Sequence, residues 1–279
     1  MNQISIDELK SNSNKALDEL FESGAFVIPK LIQPYTAEAL KRKCMKVEEC
    51  FIKRGGKTDI NGSVISHPFL YDSEFFKYIE IPEICNLIER CIGDSIILVN
   101  ANINNRQIAK GLSGNIAPGV GWHTDSRYVQ EGKRRLPHGF GYIFCICLDN
   151  FSMENGATKI IKKSHLLDEK PSRIIDETKY NIETITLQQG DAFLFDCGIW
   201  HTAGTPNENS RWSIFNFYAP WYIKPYYDYP DMFSSKQKLE FSDRLMKLLH
   251  LNSQPPSLQT HRVNTVIDIS EYRHQLSHE

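Results

Sequence analysis

The chain has 279 residues, 41% hydrophobic and 24% charged, with a formal net charge of −2. So much apolar material excludes a chain dominated by disorder, and the near-balanced charge excludes the basic footprint of a general nucleic-acid binder. No apolar run approaches the roughly 18 residues that span a bilayer, and the N-terminus is too polar for a signal-peptide core. The seven cysteines form no C-x-x-C pair, so a soluble protein of the reducing cytoplasm, without a membrane partner, is expected.

In chain order, Ile6, Leu9, Ala16, Leu17 and Leu20 recur at helical spacing and predict one helix over residues 6–23, ended by Gly24. The run GAFVIPKLI at 24–32 reads as an extended segment. A second helix is expected over 36–51, stopped by Arg54-Gly55-Gly56, and a polar connection over 59–66. Residues 82–91 read as a short helix with proline in its first turn.

Beyond Gly93 the texture changes. SIILVNANI, FGYIFCICLD, ATKII, IETITL, DAFLFD and WSIFNFYA are short apolar or alternating runs between turn residues, which suggests a sandwich or barrel rather than βαβ units. Aromatic-rich loops follow Pro220, then an amphipathic helix over 236–249, the stretch NSQPPSLQT and a polar tail. The expected organisation is one domain: a helical N-terminal layer (1–93), a β core (94–220) and a C-terminal extension (221–279).

The residues that carry chemistry begin at Trp122-His123-Thr124-Asp125. On an extended backbone, positions i and i+2 share a face, so His123 and Asp125 project together, as two metal ligands would. Alone, H-x-D is a weak signal, and a surface histidine beside a solvated aspartate is the ordinary alternative. His201 lies 76 residues after Asp125, near the end of a strand in GDAFLFDCGIWHTAG. Two histidines and a carboxylate form the face that leaves open coordination positions on Fe(II). Arg211, ten residues later, opens RWSIFNFYAP. An arginine leading into a core strand needs an anionic partner, and its planar fork suits a carboxylate. A structural salt bridge is the plain alternative.

Together these positions resemble a known family. Trp122-His123-Thr124-Asp125, Glu154-Asn155-Gly156-Ala157-Thr158 leading to Lys163-Ser164-His165, Gly190-Asp191, His201 and Arg211 occur in the order seen in phytanoyl-CoA dioxygenase-like proteins. The resemblance runs from about residue 6 to 230 and implies an Fe(II)- and 2-oxoglutarate-dependent oxygenase. The fold it implies is mainly β with flanking helices, around a double-stranded β-helix (a jelly-roll, cupin-like core). Residue by residue, it makes His123, Asp125 and His201 the iron ligands and Arg211 the partner of the distal carboxylate of 2-oxoglutarate. Thr158 and Ser213 become further contacts to that co-substrate. Family members commonly have Pro-Gly-Ser-His where this chain has Lys162-Lys163-Ser164-His165, so a differently built turn is expected, with His165 structural. The halogenating relatives carry a small residue at the position of Asp125, so its carboxylate points to hydroxylation or another oxidation without halide, with succinate and CO2 as by-products.

Weaker features have bland readings. The basic stretch with Arg127, Tyr128, Lys133, Arg134, Arg135 and His138 reads as a solvated face, although in the resembling family the same stretch can border the substrate entrance, where it would fit an anionic substrate. Cys145 and Cys147 read as packing residues. Trp212, Phe215, Phe217, Tyr218, Trp221 and Tyr222 read mostly as core, with one or two lining a pocket.

The expected function is therefore oxidation of an unactivated C–H of a small-molecule metabolite. A metal-dependent hydrolase or isomerase on the same ligands leaves Arg211 without a role. A non-catalytic ligand-binding relative leaves the intact ligand set without one. Neither the substrate nor the oligomeric state is legible.

Overall fold

The computed structural model describes residues 1–58, 62–93, 95–108, 121–125, 140–167 and 169–252. Helix α1 (Ile6–Ser11) opens on a capping box, in which the Ser5 hydroxyl accepts from the Glu8 N–H while the Glu8 carboxylate accepts from the Ser5 N–H. Helix α2 (Asn14–Glu22) follows after a break, so the single helix expected over 6–23 is two. The break has a local cause: Asn12 is extended, and its side-chain oxygen accepts the Asn14 N–H at 2.9 Å. Asparagine offers the backbone this alternative to helix, and the apolar spacing runs across it unaltered.

Strand β1 (Ala25–Ile28) and helix α3 (Pro34–Lys53) fall where expected, with Pro34 at the start of α3. The expected polar connection over 59–66 is corrected in its second part: Gly62–Ser66 forms strand β2. It is an edge strand, with Val64 65% exposed and Ile65 buried, and it is held by backbone pairing that a short, serine-rich sequence does not advertise. Helix α4 (Pro82–Ile92) ends at Gly93 in the left-handed conformation.

The remaining strands are β3 (Ile96–Arg106), β4 (Tyr142–Cys147), β5 (Thr158–Ile161), β6 (Ile182–Thr184), β7 (Ala192–Asp196), β8 (Trp200–Ala203) and β9 (Arg211–Pro220). They build a six-stranded sheet ordered β1-β7-β4-β9-β3-β2 and a three-stranded sheet ordered β6-β5-β8, with every strand pair antiparallel. His201 lies in the short strand β8, two residues before its end. After β9 come α5 (Tyr229–Met232), α6 (Ser235–Lys238) and α7 (Asp243–Leu248). The one helix expected over 236–249 is thus two short ones, because Ser242 caps a fresh start by accepting the Leu245 N–H at 3.0 Å.

Period-two alternation explains the layers. Tyr142, Phe144 and Ile146 of β4 face the helices, packing with Leu40, Leu87 and Ile88 of α3 and α4. Ile143, Cys145 and Cys147 face the other way, into the space between the sheets, with Phe151, Phe193 and Phe195. Both faces of β4 are covered, which is why its sequence is continuously apolar. Each such large side chain contributes roughly 1.5–3 kcal/mol on burial. The cysteines pack as expected, and burial pushes the Cys145 thiol well above its ordinary range. The aromatic series divides: Trp212 and Tyr218 join the helix-side core, Phe215 and Phe217 line a cavity between the sheets, and Tyr222 is exposed.

The turn at Lys162-Lys163 is built on an unusual backbone. Lys163 adopts φ 64° and ψ 4°, the left-handed conformation that glycine favours and a lysine side chain disfavours. It places His165 with Nε2 donating to the Phe21 carbonyl at 3.1 Å, a structural role. Lys163→Gly should therefore raise stability by about 1 kcal/mol, read as a higher thermal midpoint. An unchanged or lower midpoint would mean that Lys163 side-chain contacts offset the strain.

Among the described residues no helix is long and apolar enough to cross a membrane. The basic stretch at 126–139 and NSQPPSLQT after Asn252 lie outside the described residues.

Candidate metal centre and its cavity

Backbone pairing brings His123 and His201 together. The His123 N–H donates to the His201 carbonyl and the His201 N–H to the His123 carbonyl, each at 3.0 Å, forming an isolated antiparallel bridge beside β8. Directly opposed residues put their side chains on the same face, and the two ring centroids are 4.2 Å apart. The Asp125 N–H bonds the Cys197 carbonyl at 3.1 Å, which keeps the chain extended and points Asp125 the same way as His123. Nε2 of His201 lies 3.4 Å and Nε2 of His123 3.7 Å from the Asp125 carboxylate. One ligand atom from each of the three residues lies within 4.8 Å of the others.

The tautomers are set from behind. Nδ1–H of His123 donates to the Gly121 carbonyl at 2.8 Å, and Nδ1–H of His201 to the Ile199 carbonyl at 3.0 Å. Both Nε2 lone pairs therefore face the shared space, as imidazoles that ligate a metal usually do. Burial and the neighbouring His201 lower the pKa of His123. Burial works against a proton on His201 too, but the charge and hydrogen bond of Asp125 carry its pKa upward. Two neutral nitrogens and one anionic oxygen fit a divalent cation: bonds of roughly 2.1 Å would need only a small inward movement of these groups.

The three residues open on a cavity of about 330 Å³ between the sheets, whose wall includes Thr158, Ala203 and Arg211. Arg211 is 3% exposed, and among the described residues no carboxylate pairs with it. Its Nε and Nη2 donate to the Gly156 carbonyl at 3.1 and 2.7 Å, and its Cζ stands 4.1 Å from the centre of the Phe151 ring. Asp149 is nearby, yet its oxygens are taken by Lys41 at 2.6 Å and the Trp212 N–H at 2.8 Å. Burial pushes the guanidinium pKa down to about 10, so it remains a cation at neutral pH. Gly156 presents its carbonyl from φ +74°, and a Cβ there would meet the Gly204 carbonyl oxygen at 2.6 Å. The Glu154-Asn155-Gly156 turn is thus the seat of Arg211.

Thr158 reaches the cavity wall, opposite Ala203 in the β5–β8 register. Ser213 shares the face of Arg211, and its buried hydroxyl has no hydrogen-bond partner, but it is not part of the cavity lining. Sequence reasoning missed the other wall. Asn100, Asn102, Asn104 and Arg106 alternate along β3 and line the cavity, with Arg106 directly opposite Arg211. The signal was present as N-x-N-x-N-x-R, but asparagine is depleted in strands, and only the β3–β9 register gives the series an inward face.

Comparison with known proteins agrees with this architecture. Two uncharacterized proteins, from Mycobacterium bovis and Mycobacterium tuberculosis, are each 25% identical over 256 residues, covering 86% of this chain and 89% of theirs. Among solved structures, the non-heme alpha ketoglutarate dependent carbocyclase SnoK from nogalamycin biosynthesis is similar in fold, with a TM-score of 0.59 at 16% identity over 76% of this chain and 85% of its own. AviO1 from Streptomyces viridochromogenes gives 0.56 at 16% identity over 77% and 97%. The epimerase SnoN, in complex with Fe3+, alpha ketoglutarate and nogalamycin RO, gives 0.53 at 15% identity over 76% and 84%. At the level of sequence, the model of the phytanoyl-CoA dioxygenase (PhyH) family matches residues 21–212, which takes in His123, Asp125, His201 and Arg211. The chain belongs to the phytanoyl-CoA dioxygenase family.

Proposed function

We propose that the chain, as a single catalytic domain, is an Fe(II)- and 2-oxoglutarate-dependent dioxygenase that hydroxylates a small molecule. The observation that carries this reading is Arg211: a buried cation, without a carboxylate partner among the described residues, on the wall of the cavity that holds His123, Asp125 and His201. Leaving a cation so placed is costly unless an anion completes it.

His123, Asp125 and His201 would hold the iron, their orientation fixed by the Gly121 and Ile199 carbonyls and by the Asp125 backbone bond. The iron with 2-oxoglutarate and O2 supplies the oxidising power for C–H cleavage, the co-substrate leaving as succinate and CO2. Arg211 binds the distal carboxylate with the donors that Gly156 leaves over, and Thr158 stands between it and His201 along β5 to orient the chain of the co-substrate. Ser213, behind that wall, adds a hydroxyl on the same face. The apolar Phe215, Phe217 and Ile143 keep water from the reacting centre. A cavity of about 330 Å³ suits a small molecule rather than a polymer such as nucleic acid.

The structural neighbours include a carbocyclase and an epimerase, whose products need not gain oxygen. Turnover under 18O2, with mass analysis of the product, separates these outcomes. The hydroxylase reading expects one labelled oxygen in the product, and a product of unchanged oxygen content would overturn it in favour of cyclisation or epimerisation.

A further inference from the structure

We infer that Asn100 and Asn102 form the binding subsite for the primary substrate and that its class is a neutral, polyhydroxylated ring. The inference rests on the oxygenase reading of the cavity and goes on to name what sits beside the co-substrate.

Asn100 and Asn102 stand on the cavity face of β3, two residues apart and therefore roughly 7 Å from each other along the strand. The side-chain oxygen of Asn100 is buried without a hydrogen-bond partner, and a turn of the amide toward the cavity presents it to a ligand. A buried amide oxygen left unmatched is expensive, so a donor is expected to meet it. Asn102 is pinned the opposite way: its oxygen accepts the Ser66 hydroxyl at 2.8 Å, which leaves its amino group as the available donor. The wall therefore offers an acceptor and then a donor, both uncharged. A hydroxyl group satisfies either one, because it both donates and accepts.

Aromatic faces supply the other half of the subsite. Phe217 is directly opposite Asn100 in the β3–β9 register, and Tyr226 packs against Phe217 with centroids 6.1 Å apart. Tyr226 also ties the subsite to the metal centre: its N–H bonds the Val99 carbonyl at 3.2 Å, and its hydroxyl reaches the Asp125 carbonyl at 3.4 Å. A saturated ring with hydroxyls at its edge and C–H groups on its face matches amides on one side and aromatic rings on the other. Such a molecule would lie next to Asp125, with a ring C–H toward the metal, while Asn104, opposite Ser213, is left to the co-substrate end.

The test is anaerobic calorimetry on the protein loaded with Fe(II) and 2-oxoglutarate. The titrants are the methyl hexopyranosides of the gluco, manno and galacto series and, as a competitor class, decanoyl-CoA. At least one glycoside should bind, and Asn100→Leu and Asn102→Leu should each weaken it by about tenfold or more, since a site built for a hydroxyl loses its matched pair. The 2-oxoglutarate affinity of both variants should stay within about twofold of wild type. Asn100→Ser and Asn102→Ser serve where the leucine variants do not fold, and should weaken binding in the same direction. Glycosides that do not bind, or that bind the variants as tightly as wild type, would overturn the inference, as would asparagine-dependent binding of decanoyl-CoA. Failure of the oxygenase reading has a different signature: wild type would not bind 2-oxoglutarate, and the glycoside titration would then be read on the Fe(II) protein alone.

Discussion

Asp125→Ala and His201→Ala should each abolish specific Fe(II) binding while leaving the fold intact. On the proposed reading His123, Asp125 and His201 are the iron ligands, so each variant removes a full coordination bond. Losing only a hydrogen-bond partner of a ligand typically costs 10–100-fold in affinity, and loss of the ligand itself must exceed that. The fold should survive for reasons specific to each position. Asp125 is partly exposed, and its backbone bond to Cys197 does not involve the side chain. His201 is buried, but its place in β8 is held by backbone pairs to His123 and Ile160, and the Ile199 carbonyl that accepts its ring N–H is the main group left over. Anaerobic equilibrium dialysis against Fe(II), alongside circular dichroism of each variant, makes the measurement. Stoichiometric binding within a few-fold of wild type in either folded variant would remove that residue from the metal site.

Arg211→Ala should weaken 2-oxoglutarate binding by about 2–5 kcal/mol, or roughly 30-fold to several thousandfold, with Fe(II) affinity unchanged. The magnitude follows from burial, which withholds the water that would otherwise screen the pair. Arg211→Lys should recover part of the loss, because it keeps a cation but not the planar fork that spans the Gly156 carbonyl and a carboxylate together. An anaerobic titration of 2-oxoglutarate into the three Fe(II) proteins reads both effects. Equal affinity in wild type and Arg211→Ala would place the co-substrate elsewhere.

The parts of this site legible in the sequence were those encoded locally. His123 and Asp125 need only an extended backbone to share a face, and Arg211 announces itself as a charge at the head of an apolar strand. Their convergence is not local. It depends on the bridge between His123 and His201, on the seat that Gly156 makes for Arg211, and on a register that sets Arg106 opposite Arg211. The asparagine wall was missed for the same reason, since uncharged residues at alternate positions look like loop until a neighbouring strand gives them a face. The layers of the fold were readable from apolar runs, whereas breaks set by single side chains were not. Asn12 and Ser242 each interrupt a helical pattern by bonding the backbone, and the periodicity passes over them unchanged. The left-handed Lys163 is a further case, where tertiary packing holds a turn that the residue itself disfavours.

If this centre spends 2-oxoglutarate to oxidise a bound molecule, succinate is the most direct witness. Succinate release should require Fe(II), O2 and 2-oxoglutarate together, and should vanish in Asp125→Ala. It should also fall in Arg211→Ala at low 2-oxoglutarate concentration. Turnover of a substrate that proceeds with Zn(II) under anaerobic conditions, or without 2-oxoglutarate, would contradict the account and place the centre among metal hydrolases or isomerases.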